Sequence, residues 1–414
     1  MSKKLIGACV FAQSGGPTAV INASAYGVIK TALESPEITD VYGAAHGITG
    51  ILNGTLYDLR KEDPDELRLL LNTPSAAFGS CRHKMPDPAK DDTDYIRILE
   101  TFKKFNIRYF FYNGGNDSMD TCKKISDFMQ KSGYDCRVIG VPKTIDNDLV
   151  GTDHCPGYGS AAKYVATSIA ELYKDINVYN TGMITVVEIM GRHAGWLTGA
   201  AALAELAGTP PDLIYLPEIP FDIDAFFDNV ESIYKTKNNC FIAVSEGIRY
   251  ADGTFVAEST PSATDGFGHA QLGGLAAVLS SMIKQRTGAK VRGIELSLLQ
   301  RCAAHIASQT DIDESYLAGE AAVLHAVAGE TGKMVAFTRE RDSAGGYRCG
   351  VVLQPLSISA NSEKTVPREW INASGTYVTQ EFIDYALPLI QGENSRLIEN
   401  GLPRFAKLKK MLAV

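Results

Sequence analysis

Cys136-Arg137-Val138-Ile139-Gly140-Val141-Pro142-Lys143-Thr144-Ile145-Asp146-Asn147-Asp148 joins a short apolar run to a stretch with three charges in six residues. The β-branched run ending at Val141 has the composition of a buried parallel strand, and Pro142, which carries no N–H, ends it. Ligands of open α/β sheets bind beyond the carboxyl ends of the strands, so the residues after Pro142 stand where such folds do chemistry. If the segment stays extended, Thr144, Asp146 and Asp148 share one face and Lys143 is turned aside unless the chain bends. Two neighbouring carboxylates compete for ionisation, which lets one accept a proton while the other holds a metal or stays hydrogen-bonded. The plainer alternative is a solvated turn rich in Asp and Asn.

The same design recurs along the chain. Leu5 to Phe11 reads as a buried strand, Gln13-Ser14-Gly15-Gly16-Pro17-Thr18 as a turn and Val20 to Ala32 as a helix. Backbone N–H groups at such a turn, with no side chain on Gly15 or Gly16, form a phosphate cradle; a βα turn needing positive φ explains the pair equally well. Arg108 to Tyr112, Asn113 to Ser118 and Met119 to Lys131 repeat strand, turn and helix, with Asp117 or Ser118 suited to the N-cap. Between these units Arg82, His83 and Lys84 share a polar loop, and an arginine there suits either phosphate oxygens or a plain surface position.

Gly157 to Gly159 reads as a junction into a helix from Ser160 to Tyr173. Met183 to Ile189 is the strongest strand signal, followed by Met190-Gly191-Arg192-His193. Gly191 permits close backbone approach, Arg192 can clamp a phosphate ester, and His193 is a packed turn residue or an acid–base group. Phe241 to Gly247 repeats the pattern, with Glu246 placed to accept hydrogen bonds from ligand hydroxyls. Asp252 to Gln271 has the composition of a mobile loop. A helix from Gly273 to Thr287 precedes a strand-like stretch, Lys290 to Arg301, that carries Arg292 and Arg301. The remaining chain predicts a helix from Ser315 to Ala328, strands near Val335 to Phe337 and Arg348 to Val352, and a helical region from Glu381 onward.

A chain of 414 residues exceeds the roughly 250 to 300 that one core supports, which predicts two domains. Apolar residues at 45% and charged residues at 21% are globular values. The net charge of −8 argues against a nucleic-acid or anionic-membrane partner, so any anion site must be basic only locally. The eight cysteines lack CxxC or zinc-finger spacing, which fits reduced thiols and a cytoplasmic location. No apolar run approaches the roughly 20 residues that span a bilayer.

Taken in order, Ser14-Gly15-Gly16 with Asn22, Arg82, Asn113 to Ser118, Pro142 to Asp148, Met190-Gly191-Arg192, Ser245-Glu246-Gly247, Arg292 and Gln300-Arg301 resemble the phosphofructokinase family, in its pyrophosphate-dependent branch. The resemblance covers most of the chain, and the Thr-Ile-Asp-Asn-Asp block is its most specific part. It implies an α/β fold of two Rossmann-like αβα three-layer domains with largely parallel sheets and the active site in the cleft between them. Residues 1–157 with about 300–385 would form the donor domain, and 158–299 with about 386–414 the sugar-phosphate domain.

The resemblance also implies reversible transfer of a phosphoryl group from pyrophosphate to the 1-hydroxyl of fructose 6-phosphate, with Mg²⁺ screening the phosphates. Asp146, Lys143, Asp117 and Arg192 would be catalytic, and Gly15, Arg82 and Lys143 would bind the donor. Thr144, Ile145, Asp146, Met190, Gly191, Arg192, Glu246, Arg292, Leu298 and Arg301 would hold the sugar phosphate, and Asn116 and Asp148 the metal. Relatives that use ATP commonly carry Gly in place of Lys143 and Asp117. A lysine there attracts two phosphates, and an acid crowds out a third. Asn116, Leu298, Met183 and Pro17 depart from the family pattern: an Asp, a His or Tyr, an Arg and an acid are common there. Arg292 reaches across a subunit interface in relatives, implying a homodimer or homotetramer. The alternatives are a kinase that also takes sedoheptulose 7-phosphate, an ATP-dependent enzyme, and a non-catalytic regulatory subunit.

Overall fold

The computed structural model describes residues 5–178, 180–257, 274–360 and 362–414. Along β1 (Gly7–Gln13), Cys9 and Phe11 face one side and Ala8, Val10 and Ala12 the other, all shut away from solvent. A strand apolar on both faces belongs in the middle of a covered sheet. Seven strands make that sheet: β1, β2 (Ile38–Ala44), β3 (Leu56–Asp58), β4 (Ile107–Gly114), β5 (Arg137–Pro142) and, from much later in the chain, β10 (Lys333–Arg341) and β11 (Tyr347–Pro355). Their order is β11-β10-β5-β4-β1-β2-β3. The inner pairings are parallel, and only the edge strands β3 and β11 run antiparallel to their neighbours. Helices Ile21–Glu34 and Gln309–Val327 cover the face that carries Phe11, Phe111 and Ile139, while Thr93–Lys104 and Asn116–Lys131 cover the face of Val10, Phe110 and Val138.

The second sheet holds β6 (Met183–Ile189), β7 (Leu213–Tyr215), β8 (Asn239–Ser245) and β9 (Val291–Glu295) in the order β7-β8-β6-β9, all parallel. Helix Tyr158–Ile176 packs on the face of Val187 and Ile189, and helices Ile223–Lys237 and Leu275–Thr287 on that of Ile184 and Val186. Both layers are thus αβα, as expected. The eight cysteines are all free. No helix among the described residues is long and apolar enough to cross a membrane.

Several local expectations are corrected. Gly115 is the N-cap of helix Asn116–Lys131 and no side chain caps it, so Asp117 and Ser118 lie inside the first turn instead. Lys290 to Arg301 is not one strand: β9 ends at Glu295, Ser297 adopts a positive φ of 46°, and Leu299–Cys302 is a short helix. After helix Gln380–Ala386 and a 3-10 turn to Ile390, the chain leaves helical structure for a small hairpin pairing Ile398 with Pro403. Residues 258–273 lie outside the described residues, and with them most of the expected loop from Asp252 and the expected helix start at Gly273.

The late chain also divides differently from the expected 300–385 and 386–414. Val366, Ile371, Val378 and Phe382 are buried with Trp196 and Leu197 in the second sheet's core, whereas Ala406 and Leu408 pack on the first sheet and Leu412 bridges to Tyr57. These segments follow buried apolar surface without regular periodicity, so the sequence pattern gave no sign of which layer each joins.

Helices Ile21–Glu34 and Gln309–Val327 cross at two glycines. A Cβ on Gly27 would sit 2.2 Å from the Tyr316 carbonyl oxygen, and one on Gly319 would sit 2.1 Å from that of Ser24. Backbone cannot yield as a side-chain tip can. Gly319→Leu is therefore expected to destabilise the fold by about 3 kcal/mol or more through overpacking. Chemical denaturation checks this, and an unchanged midpoint would contradict the close crossing.

Candidate active site

The carboxyl ends of β1, β4 and β5 on one sheet and of β6 and β8 on the other meet at one cleft of about 230 Å³. Gly15, with φ of 74°, follows β1. A Cβ there would lie 3.1 Å from Lys143 Nζ, and one on Gly16 would lie 3.0 Å from Arg301 Nη1. The bare backbone is what lets both cations close over this turn. Gly15 N–H donates to the Cys81 carbonyl at 3.1 Å, and Ser80 Oγ donates to the Gly15 carbonyl at 2.7 Å. These bonds tie the loop bearing Arg82 to the glycine turn.

Beyond β5 the chain does not stay extended. Lys143 N–H donates to the Gly114 carbonyl, Asp146 N–H donates to Thr144 Oγ1 at 3.1 Å, and Asn147 takes a φ of 56°. The bend corrects the strict alternation expected from sequence: Lys143, Thr144, Ile145, Asp146 and Asp148 all line the cleft. Asn116 and Asp117 enter from the first turn of their helix, where Asn116 Oδ1 accepts the Asp117 N–H at 2.8 Å. From the second sheet come Met190, Arg192 and Glu246, with Arg301 from the short helix after β9. Gln300, buried beside it, accepts the Met190 N–H on Oε1 at 3.1 Å, so the Gln-Arg pair splits into one group that holds the loop and one that lines the cleft.

The charges explain one another. Arg82 is held below the usual arginine range by burial and then by Arg301 and Arg192. Burial lowers the Lys143 amine to about 8, with Asp146 and Asp148 pulling the other way. Asp146 is raised above the usual carboxylate range by burial, against the pull of Lys143, Arg192, Arg301 and Arg82. Asp148 is pushed up to about 7 by burial, Asp146 and Glu363, and Glu246 to about 7 by burial and Asp146. The Nε atoms of Arg192 and Arg301 are buried without a hydrogen-bond partner among the described residues. Crowded cations with unused donors describe a receptor for an oxyanion, and carboxylates of raised basicity beside it describe a proton acceptor.

Three sequence candidates lie off the cleft wall. Gly191 is just behind it, with φ of 138° and its N–H directed at Glu246 Oε1 at 3.4 Å. Arg292 is exposed on β9, and Leu298 is 57% exposed beyond that strand. Among the cleft-lining residues without an assigned place in the candidate site, two are titratable. His193 contacts Arg249 Nη2 through Nδ1 at 2.6 Å, and Glu363 lies 3.9 Å from the same imidazole. Residue 193 adjoins a recognised motif, whereas nothing in sequence marked Glu363, which arrives from an irregular segment bridged to Leu149.

Cations and proton-accepting carboxylates at the carboxyl ends of two facing parallel sheets define the class: a phosphoryl-transfer enzyme. The model of the phosphofructokinase family matches residues 8–312. The chain is similar to the pyrophosphate–fructose 6-phosphate 1-phosphotransferase of Halomonas elongata, at 48% identity over 97% of this chain and 96% of the relative. That of Methylococcus capsulatus is 44% identical, over 96% and 95%. The crystal structure of a pyrophosphate-dependent phosphofructokinase from Marinobacter aquaeolei superposes with a TM-score of 0.88 at 42% identity, covering 99% of this chain and 98% of that one. The chain belongs to the phosphofructokinase family.

An amine lowered to about 8 is charged below that pH and neutral above it. Affinity for sulfate, which does not titrate in this range, is expected to fall about tenfold as pH rises through about 8, the loss of one charged hydrogen-bond donor. Lys143→Met should flatten that step. Calorimetric titration checks it, and a wild-type affinity constant to pH 9.5 would contradict the assignment.

Proposed function

We propose that this protein transfers a phosphoryl group reversibly between pyrophosphate and the 1-hydroxyl of fructose 6-phosphate, giving fructose 1,6-bisphosphate and phosphate. The observation that carries the reading is the joint presence of Lys143 and Asp117 on the wall of one cleft, around the glycine turn at Gly15. Lys143 supplies positive charge to a two-phosphate donor, and Asp117 places bulk and negative charge where a longer donor would continue. The full-length similarity to proteins named for this reaction supports the same choice.

In this reading Asp146 accepts the proton of the 1-hydroxyl as its oxygen forms a bond to phosphorus. The bridging bond of pyrophosphate breaks and inorganic phosphate leaves. Raised above the ordinary carboxylate range, Asp146 has the basicity to take that proton, and Lys143, Arg82 and Arg301 stabilise charge on the moving and departing groups. Gly15, Gly16 and Arg82 hold the donor, and Thr144, Ile145, Met190, Gly191, Arg192, Glu246 and Arg301 hold the sugar phosphate. Arg301, near Gly16, stands at the junction of the two. Asp148 and Asn116 both line the cleft and offer oxygen atoms of the kind a hard divalent cation takes. Asp148, with the amide oxygen of Asn116, would hold Mg²⁺, whose chemistry is to screen the negative charge of the phosphates. Arg292, exposed on an edge strand, is proposed to serve a second copy of the chain in a homo-oligomer, with Leu298 beside it. A cytoplasmic enzyme of small-molecule metabolism is the setting that fits.

Initial rates with equal concentrations of the two donors are expected to favour pyrophosphate strongly; faster turnover with ATP would remove this reading. Asp117→Gly with Lys143→Gly should open the cleft to ATP while lowering pyrophosphate turnover by about 10²-fold, the loss expected when a charge-stabilising donor goes. Unchanged donor preference in that variant would contradict the charge argument. Asp146→Asn should lower turnover by about 10³-fold while retaining sugar-phosphate binding by calorimetry.

A further inference from the structure

Between the two cleft aspartates lies a residue that never reaches the cleft. Asn147 is wholly buried, and its left-handed backbone makes the bend that lets Asp146 and Asp148 both line the site. Its side chain is used at both ends: Oδ1 accepts the Cys155 N–H at 2.9 Å, and Nδ2 donates to the Tyr385 hydroxyl at 2.8 Å. That hydroxyl donates in turn to the Asp153 carbonyl at 2.7 Å, which also accepts from Lys364 Nζ at 2.7 Å.

Asp153 is itself anchored. Its carboxylate meets His154 Nδ1 at 2.8 Å and takes two bonds from Arg339, at 3.2 and 3.0 Å. His154 Nε2 meets Glu314 at 2.7 Å, and the other Glu314 oxygen accepts from the Tyr347 hydroxyl at 2.6 Å. His154, Glu314 and Cys349 lie close enough together to suggest a metal site. Both imidazole nitrogens and both Glu314 oxygens already have protein partners, so the cluster serves as a hydrogen-bonded anchor. A connected line of buried bonds therefore runs from helix Gln309–Val327 to the catalytic bend. Glu314, Arg339, Tyr347, Lys364 and Tyr385 all lie beyond residue 312, where the family match ends.

Resting on the phosphoryl transfer proposed above, we infer that Tyr385 is a positioning residue for that reaction: through Asn147 its hydroxyl sets the bend that aims Asp146 and Asp148 into the cleft. The ring is held independently, against Trp196 at 5.2 Å, Trp370 at 5.3 Å and beneath Arg339 at 4.7 Å. Removing the oxygen alone leaves this packing and frees the Asn147 amide. A displacement of about 1 Å at reacting groups lowers rates by up to about 10²-fold.

Tyr385→Phe in the full-length protein tests this. With whichever donor the wild type uses, kcat is expected to fall at least about tenfold in both directions, with KM for donor and sugar phosphate within about threefold. Asn147→Gly keeps the left-handed backbone but deletes the amide, and should fall at least as far. The double variant should fall no further than Asn147→Gly, because the two act through one bond. Tyr134→Phe is the control: it removes a buried hydroxyl bonded to the Phe102 and Ile107 carbonyls, far from the cleft, and should lower Tm while kcat stays. Hydrogen exchange over residues 144–149 should quicken in Tyr385→Phe and not in Tyr134→Phe, a readout that needs no turnover. A kcat for Tyr385→Phe within twofold of wild type, multiplicative losses in the double variant, or unchanged exchange over 144–149 would overturn the assignment. A wild type indifferent to pyrophosphate would strike the donor assignment instead and leave these comparisons decisive.

Discussion

Like charges held together are the constraint on which the cleft depends. Lys143, Arg82, Arg192 and Arg301 converge on one small space, and Arg301 and Arg192 hold Arg82 below its ordinary range. At an effective dielectric of about 20, two unit charges about 4 Å apart repel by about 4 kcal/mol, so such a group cannot assemble itself. Neighbouring structure holds it: Lys143 directly follows β5, Arg192 follows β6, and Arg82 sits on a loop bonded to the turn after β1. The carboxylates among them offset part of the repulsion; burial, acting against the pull of those cations, leaves Asp146 and Asp148 more basic than free aspartates.

That dependence on strand ends explains why the fold was legible. Parallel strands buried on both faces read as continuous apolar runs, and β1, β4, β5, β6 and β8 were found within two residues of their bounds. Chemistry in such sheets sits just beyond the carboxyl ends, so position drew attention to the turns after β1, β4, β5, β6 and β8, and the family resemblance supplied the roles of residues within them. Thirteen nominated residues, from Gly15 to Arg301, line the cleft. Arg292 and Leu298 do not, because an edge strand faces outward in a single chain. Thr144, Asp146 and Asp148 do share the cleft, but the backbone is not extended, and the bend brings Lys143 and Ile145 to the same wall. One left-handed residue, Asn147, changes which side chains share a face, and asparagine is among the residues that tolerate that region.

The late chain was not legible, for a different reason. The short helix from Gln380 was expected, but residues 362–366 and 387–390 carry no long period, because irregular and 3-10 backbone neither alternates nor repeats at helical spacing. Their placement depends on distant partners: Lys364 N–H bonds the Asp148 carbonyl at 2.7 Å, and Trp196 Nε1–H bonds the Lys364 carbonyl at 2.9 Å. Glu218 likewise accepts from both Gly195 at 2.8 Å and Val366 at 2.9 Å. All but the Gly195–Glu218 bond join segments more than 140 residues apart, and sequence spacing cannot encode them. The strap they form nonetheless holds the bend at Asn147 and brings Glu363 to the cleft.

The proposed choice of donor follows from where the acid and the base are mounted. Asp117 stands in the first turn of helix Asn116–Lys131, whose N-terminal dipole favours a negative group and would equally favour a phosphate. A carboxylate already in that place takes the favourable field for itself and turns it from an attraction for a long polyanion into a repulsion. Lys143, just past the carboxyl end of the neighbouring strand β5 and against Gly15, would add its charge where a short polyanion begins. Because the two groups ride on different secondary-structure elements of the same sheet, the distance between attraction and repulsion is set by the β4–β5 pairing, which keeps Gly114 opposite Pro142. In the proposed reading donor length is set by the register of two buried strands, and changing either side chain alone would remove only half of the discrimination.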